Sequence, residues 1–570
     1  MGYMNAEDRR KITSEEFTDI IVEYTNDTEA MAQYKDNTSN IIDSKYAVIY
    51  YPAASMPEQI IRENGYSIIP KLFGLVDTLS LGEMGVTKVQ GTPTLNLKGE
   101  GVLLGFVDTG IEYTNPIFKN SDNTTRIVSL WDQTIENTQA SSDIFYYGTE
   151  YGREQLNEAL RSEAPLTVVP SIDEIGHGTT LAGLAGGSRL EEKDFVGVVP
   201  RAEFVVVKLK PAKANIKNYF SVPAETVCFQ ESDILFGIRY LLNVSRRLNR
   251  PIAICVGLGT NQGSHDMRGT LSDMISIDSN RTGVAVAIAA GNEGNSGHHY
   301  YGVVEPKSGY HPVELKISEN EEGFTMELWG NAPGIYSVDM VSPTGEYIPR
   351  IPARLGETRI IKFMFERTTV YVDYLVVEAQ SGDELILLRF KNPAPGLWKF
   401  KVYGQGTITS GFHIWLPMRG FIKEGTVFVH PNPETTITIP GNTAFAVTVT
   451  SYDYKTKGIF YEASRGYSRN NIIKPDIAAP GVDVYCPVPG NAFEGRSGTS
   501  IAAALTTGVS AMLLEWGIVK GNFPSMDAID VKKFLIRGVR RDPNLTYPNP
   551  IWGYGILDVY RTFASLRGEI

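Results

Sequence analysis

Cysteine is scarce in this chain: Cys228, Cys255 and Cys486 are the three in 570 residues, and they are scattered. A disulfide framework or a thiolate metal site needs paired or clustered thiols, so neither is expected. Cys255 lies in the apolar run Ile252–Val256 and reads as a small buried hydrophobe. Positive charge is also short, with 53 Lys and Arg against 65 Asp and Glu, a net charge of -12 and a pI near 5.3. That balance argues against a nucleic-acid partner and against a basic membrane patch. No apolar run reads as long enough to span a bilayer, and the first ten residues lack the apolar segment of a secretory signal. The expectation is a soluble protein that is cytoplasmic, packaged inside another structure, or exported by a route the sequence does not spell out. No internal repeat and no low-complexity segment stands out. Carboxylates such as Asp132 and Asp143 form no ligand loop, so no metal and no cofactor is expected.

What is present is organised as three textures, and 570 residues are too many for one small core. Residues 1–80 read as a small α+β unit, with a strand at Ala47–Tyr51, a helix over Met56–Gly65, and further strands at Ser67–Ile69 and Leu72–Val76. A polar connector, Asp77–Glu83, follows. Residues 81–300 and 440–570 alternate apolar runs with helical stretches, the pattern of a mostly parallel α/β sheet flanked by helices. Residues 301–439 change to short alternating strands separated by turns such as Pro343-Thr344-Gly345, which predicts an inserted antiparallel sandwich or jelly roll.

The chemistry-bearing residues stand at the edges of these elements. Ser500, in Gly498-Thr499-Ser500-Ile501-Ala502-Ala503-Ala504, is placed at the first turn of a buried small-residue helix, where free N–H groups favour an anion. Taken alone it is an ordinary N-cap. His177, one of seven histidines, lies between Gly176 and Gly178 at another helix start. Asp108 ends the apolar strand Val102–Val107, and Asn292 follows the strand Val284–Ala290; each is otherwise a turn residue. In parallel sheets the working residues lie just beyond the carboxyl ends of strands, where both stand.

The joint pattern of Asp108-Thr109-Gly110, Gly176-His177-Gly178-Thr179, Ala290-Gly291-Asn292-Glu293-Gly294 and Gly498-Thr499-Ser500 resembles the subtilisin-like serine proteases in chain order. Gly197–Ala202 and Lys474–Gly481 add to the likeness. The resemblance implies Ser500 as nucleophile, His177 as general base and then acid, Asp108 as the group fixing the histidine, and Asn292 with the Ser500 N–H as oxyanion donors. It implies that Gly257, Leu258 and Gly259 pair with substrate, and that Ala289, Ala290 and Gly291 line the pocket for the residue before the cut. Where the family has Met, Pro and Ser, this chain has Ile501, Ala504 and Gly257; the first two read as packing variants, and the last is expected to loosen one wall of the pocket. The layout, with Arg126–Gln133, is similar to the clostridial Csp germination proteases. That likeness implies a self-cleaved prodomain over residues 1–80 that can stay in the groove, a cut within Asp77, Thr78, Leu79, Ser80 or Leu81, a rigidifying jelly roll, and a spore-like compartment. The implied partners are a protein or peptide substrate and the chain's own prodomain, in a monomer.

Two other readings stay open. One is a binding or sensor protein silenced by a retained prodomain. The other is a carbohydrate-binding platform of Trp329, Trp398 and Trp415 on the insertion, with core packing as the alternative role for those rings.

Overall fold

The computed structural model describes residues 4, 6–26, 31–56, 60–61, 65–75, 84–92, 95–136, 145–354, 358–405 and 410–568. Its centre is an eight-stranded sheet. From one edge the order is Ile477–Pro480, Val447–Tyr452, Val284–Ala289, Ile252–Val256, Leu103–Asp108, Glu203–Lys208, Ile127–Asp132 and Thr149–Gly152. All neighbours are parallel except the last pair. The central strands are mostly apolar and buried at every position except the partly buried Glu203, as expected for a sheet covered on both faces.

One face is covered by the helix Thr499–Leu514, which is buried at every position. Its Ala502, Ala503, Ala504 and Gly508 bring backbones close; a Cβ on Gly508 would stand 2.5 Å from the Val198 Cβ. Thr506 and Thr507 return their hydroxyls to the carbonyls of Ala502 and Ala503, so neither leaves an unpaired polar atom in the core. Contrary to the sequence expectation, the stretch Thr499–Val519 is long and apolar enough, by length and composition, to cross a bilayer; 89% of its apolar window is buried inside the protein, as a core helix should be. The helices His177–Gly186 and Glu231–Leu248 also pack against the sheet.

The inserted region departs from this pattern. Strands from His299–Val304 to Val427–Phe428 form two antiparallel sheets of six and five strands, with one apolar core drawn from both. Trp329, Trp398 and Trp415 are at most 1% exposed, so none offers a ring to a sugar; all three serve packing. The chain then returns to the α/β core through Ile439, bridged to Thr260.

The leading unit carries a three-stranded sheet of Phe17–Glu23, Tyr46–Pro52 and Thr38–Ile41. Two expectations change. Tyr66–Ile68 is a short 3-10 turn instead of a strand. Leu72–Leu75 is a strand, but it leaves the leading sheet to pair with Leu258–Gly259 on one side and Phe229–Gln230 on the other. Of the expected helix over Met56–Gly65, residues 57–59 and 62–64 lie outside the described residues. The three cysteines are buried and none is in a disulfide, and burial pushes the Cys228 thiol up to about 11.

Candidate active site

The parallel sheet delivers Asp108 at the end of its Leu103–Asp108 strand, and two small-residue helices deliver His177 and Ser500 at their first turns. Separations of 69 and 323 residues in the chain close to hydrogen-bond distances in space. His177 Nδ1 lies 2.7 Å from Asp108 Oδ1, and Nε2 lies 3.2 Å from Ser500 Oγ. With the carboxylate accepting from Nδ1–H, Nε2 is the lone-pair nitrogen, and the serine hydroxyl donates to it.

Each member is held by its own backbone surroundings. Thr109 N donates to Asp108 Oδ1 at 2.8 Å, and Gly178 N donates to Thr109 Oγ1 at 2.9 Å, tying the Asp108 turn to the histidine helix. That approach is why position 178 is glycine: a Cβ there would sit 2.2 Å from the Gly110 carbonyl oxygen. Asp173 caps the same helix by accepting from Gly176 N, Thr179 N and Thr179 Oγ1 at 2.7–2.8 Å. Sequence reading passed over Asp173, although an Asp three residues before a glycine at a helix start is a legible capping signal.

Asn292 is positioned through Thr499. Its Oδ1 accepts from Thr499 N and Oγ1, both at 3.2 Å, while Gly291 N donates to Thr499 Oγ1 at 2.9 Å. With Oδ1 engaged, the side-chain NH2 is the group left to donate. Asn292 is thus linked through Thr499 to the N-terminus of the Ser500 helix.

The substrate-side segments also gather here. Leu258 and Gly259, expected to pair with substrate, face Leu75 and Gly74 of the chain's own strand in antiparallel register. Asp108, His177 and Ser500 are at most 2% exposed. Ala289, Ala290 and Gly291, expected to line the pocket, are joined to the insertion's return by Thr438 N donating to the Ala290 carbonyl. Gly257 overturns one expectation. A Cβ there would come 2.6 Å from Leu181 Cδ1 and 3.0 Å from His177 Cε1, so Leu181 occupies the space and the wall is closed, not loosened. Asp77, Thr78, Leu79, Ser80 and Leu81 lie outside the described residues.

Among the described residues no group of three or more His, Cys, Asp or Glu is placed to hold a metal ion. Asp132 is engaged by Thr134 and Ser171, and Asp143 lies outside the described residues.

Comparison with known proteins follows this geometry. Residues 99–316 and 425–555, more than half of the chain, match the model of the subtilase family. The PII-type proteinase of Lacticaseibacillus paracasei is 23% identical over 459 residues, covering 73% of this chain. The match takes in 22% of that protein, so this chain spans about a fifth of its length. The subtilisin-like protease SBT1.9 of Arabidopsis thaliana is 26% identical over 143 residues, 23% of this chain and 19% of that protein. In structure, the CspB protease of Clostridium perfringens superposes with a TM-score of 0.76 at 30% identity, covering 85% of this chain and 96% of that one.

Proposed function

Because this chain belongs to the subtilase family and is related to the CspB protease, we propose that it is a serine endopeptidase. The observation that carries the reading is the continuous hydrogen-bonded line from Asp108 through His177 to Ser500. Ser500 Oγ attacks the scissile carbonyl carbon as its proton passes to His177 Nε2, and the Asp108 carboxylate stabilises the imidazolium. The Asn292 side-chain amide and the Ser500 N–H donate to the oxyanion. Collapse breaks the C–N bond, His177 returns the proton to the departing amine, and water repeats the sequence to free Ser500.

Residues 1–80 act as a prodomain and the chain cuts itself. Support comes from the Leu72–Leu75 strand, which pairs through Gly74 and Leu75 with Leu258 and Gly259, expected to grip substrate. The register of Gly74 and Leu75 favours one of the first two peptide bonds after Leu75, at or just before the amino-terminal edge of the window expected from the sequence. The β insertion, a jelly roll in this reading, acts as a rigid brace. A protein zymogen as the downstream substrate rests on the Csp resemblance alone.

Intact mass of the wild type beside Ser500→Ala tests the proposal. The wild type is expected as two fragments, the smaller of about 75 residues by the pairing register, and the variant as one chain. An uncut wild type would instead favour a binding or sensor protein, silenced by the strand retained against Leu258 and Gly259. Failure of a serine-directed phosphonate to label the full-length protein would support that second reading.

A further inference from the structure

A cavity of about 760 Å3 opens at the end of the parallel sheet away from Asp108. Its walls come from the chain at the starts of the strands Leu103–Asp108, Ile127–Asp132 and Glu203–Lys208, from the turn after Pro116, and from the residues that follow the His177–Gly186 helix. The three strands run parallel, so a strand's length, about 17 Å, separates the cavity from Asp108. Cations outnumber carboxylates in the wall: Lys119, Arg126, Arg189 and Arg201 stand beside Glu100 and Glu203. Both carboxylates are already matched, Glu100 by Arg201, and Glu203 by Arg153 and Arg250. Arg189 pairs with Glu191 at 2.6 Å. Asp122, on the same turn as Lys119, accepts from Thr124 N and Oγ1 at 3.0 and 2.6 Å. Among the described residues that leaves Lys119 and Arg126 with no ion-pair partner.

Arg126 is the unusual member. It is 3% exposed, yet neutral groups alone hold its guanidinium. The Ala202 carbonyl accepts from Nε and Nη2, and the Ile117 carbonyl and Ser188 Oγ accept from Nη1 at 3.4 and 2.8 Å. The Phe204 ring lies 5.0 Å away. These contacts fix the plane of the fork and leave one of its five N–H groups to spare, but none supplies a negative charge. Burial holds the Arg126 pKa down at about 10, with Glu203 pulling the other way, and burial alone lowers that of Lys119. A charge taken out of water is costly until an opposite charge meets it. The remaining walls describe what can carry that charge. Asn120, Ser121, Asn123 and Ser188 are polar, and none of the lining residues is aromatic. The volume falls within the roughly 300–1,000 Å3 of small-molecule sites, with room for far more than a bare oxyanion. A hydroxylated body suits such walls better than a flat ring does.

We propose that this cavity binds a sugar or similar polyol bearing one phosphate or carboxylate group, with Lys119 and the spare N–H of Arg126 taking the anion and the asparagine and serine side chains the hydroxyls. The site is separate from Ser500, and nothing in the inference depends on the peptidase reading.

Calorimetric titration of the full-length Ser500→Ala chain at one fixed ionic strength provides the test, with glucose 6-phosphate, glucuronate, glucose and inorganic phosphate as probes. At least one of the two anionic sugars is expected to bind at least about tenfold more tightly than either glucose or inorganic phosphate. Lys119→Gln removes a hydrogen bond to a charged group and is expected to weaken that binding at least about tenfold, while Lys119→Arg restores most of it. Lys119 is half-buried and its ammonium holds no other side chain among the described residues, so both variants are expected to fold, which thermal melts confirm. Absence of binding by both anionic sugars would overturn the proposal. Equal binding of glucose would overturn it by removing the charge, and equal binding of inorganic phosphate by removing the polyol. Undiminished binding in a folded Lys119→Gln protein would take the ligand out of this cavity and overturn it as well.

Discussion

Toward the leading unit the α/β core presents paired charge. Lys213 Nζ meets Asp19 at 2.6 Å with both side chains 2% exposed, and Asp19 also accepts from Gln230 and Ser232. Lys71 meets Glu231 at 3.3 Å, again buried, and Arg239 meets Asp43 at 2.6 Å. Toward the insertion it presents rings and backbone. His265 stacks on Trp415 at 4.1 Å and 6°, His299 and His413 stack on the same indole, and the return strand pairs with Thr260. Buried ion pairs tolerate almost no mismatch, because losing one partner strands the other without water. Stacked rings tolerate small shifts but carry nitrogens that titrate. One attachment is selective for its exact partner, and the other is sensitive to acid.

The largest expected effect comes from splitting the first kind of contact. Asp19→Ala leaves Lys213 buried and unpaired, and should destabilise the protein by about 3–5 kcal/mol, read from denaturant unfolding of the Ser500→Ala chain. The double replacement Asp19→Leu with Lys213→Met should recover most of that loss; if it does not, charge is not what distinguishes this interface.

The ring contact is broken by pH. His299 is buried with Nδ1 at 3.1 Å from the Asn432 carbonyl and Nε2 at 3.0 Å from His413 Nδ1. Burial first, then the nearby His265, holds its pKa down at about 3, outweighing the carbonyl contacts. His413 is likewise depressed by burial and by His299, Arg469 and His265. Because the folded pKa lies below the unfolded one, this stability is complete above about pH 6.5 and is lost as pH falls toward the folded value. At pH 5 the loss for His299 is about 2 kcal/mol. The drop in melting temperature between pH 7 and pH 5 should shrink in His299→Phe, and an unchanged drop would remove the histidine from the account.

The smallest effect lies where the two attachments meet. Tyr66 of the leading unit donates to Glu327 of the insertion, whose other oxygen accepts from Gly263 N and Trp329 Nε1. Tyr66→Phe removes one of three donors and should cost about 1.5 kcal/mol, measured in the same unfolding series. A loss as large as that of Asp19→Ala would mean that the two interfaces fail as one.

The proposed catalytic constellation was legible in the sequence because its chemistry constrains residue type locally. Asp108 needs a strand end, while His177 and Ser500 need helix starts with glycine and alanine beside them, and those demands leave a local signature. The destination of Leu72–Leu75 was not legible. Its apolar pattern permits a strand, but the partner segments at Phe229–Gln230 and Leu258–Gly259 stand more than 150 residues away in sequence. Thr438 is the same kind of case: nothing in Thr436-Ile437-Thr438-Ile439 signals that one hydroxyl lies between Gly259 and Gly291. The expectation for Gly257 erred because a glycine's freed volume can be taken by a neighbour, here Leu181, which is over 70 positions away in the chain.

In the proposed peptidase reading, the strand paired with Leu258 and Gly259 also sets a clock. While it is covalently joined to the enzyme, it competes as a ligand at an effective concentration on the order of millimolar. A free peptide of equal intrinsic affinity at about micromolar concentration would find the groove open only about once in a thousand encounters. Turnover of anything other than this chain is then timed by how fast Leu72–Leu75 departs, not by how fast Ser500 reacts.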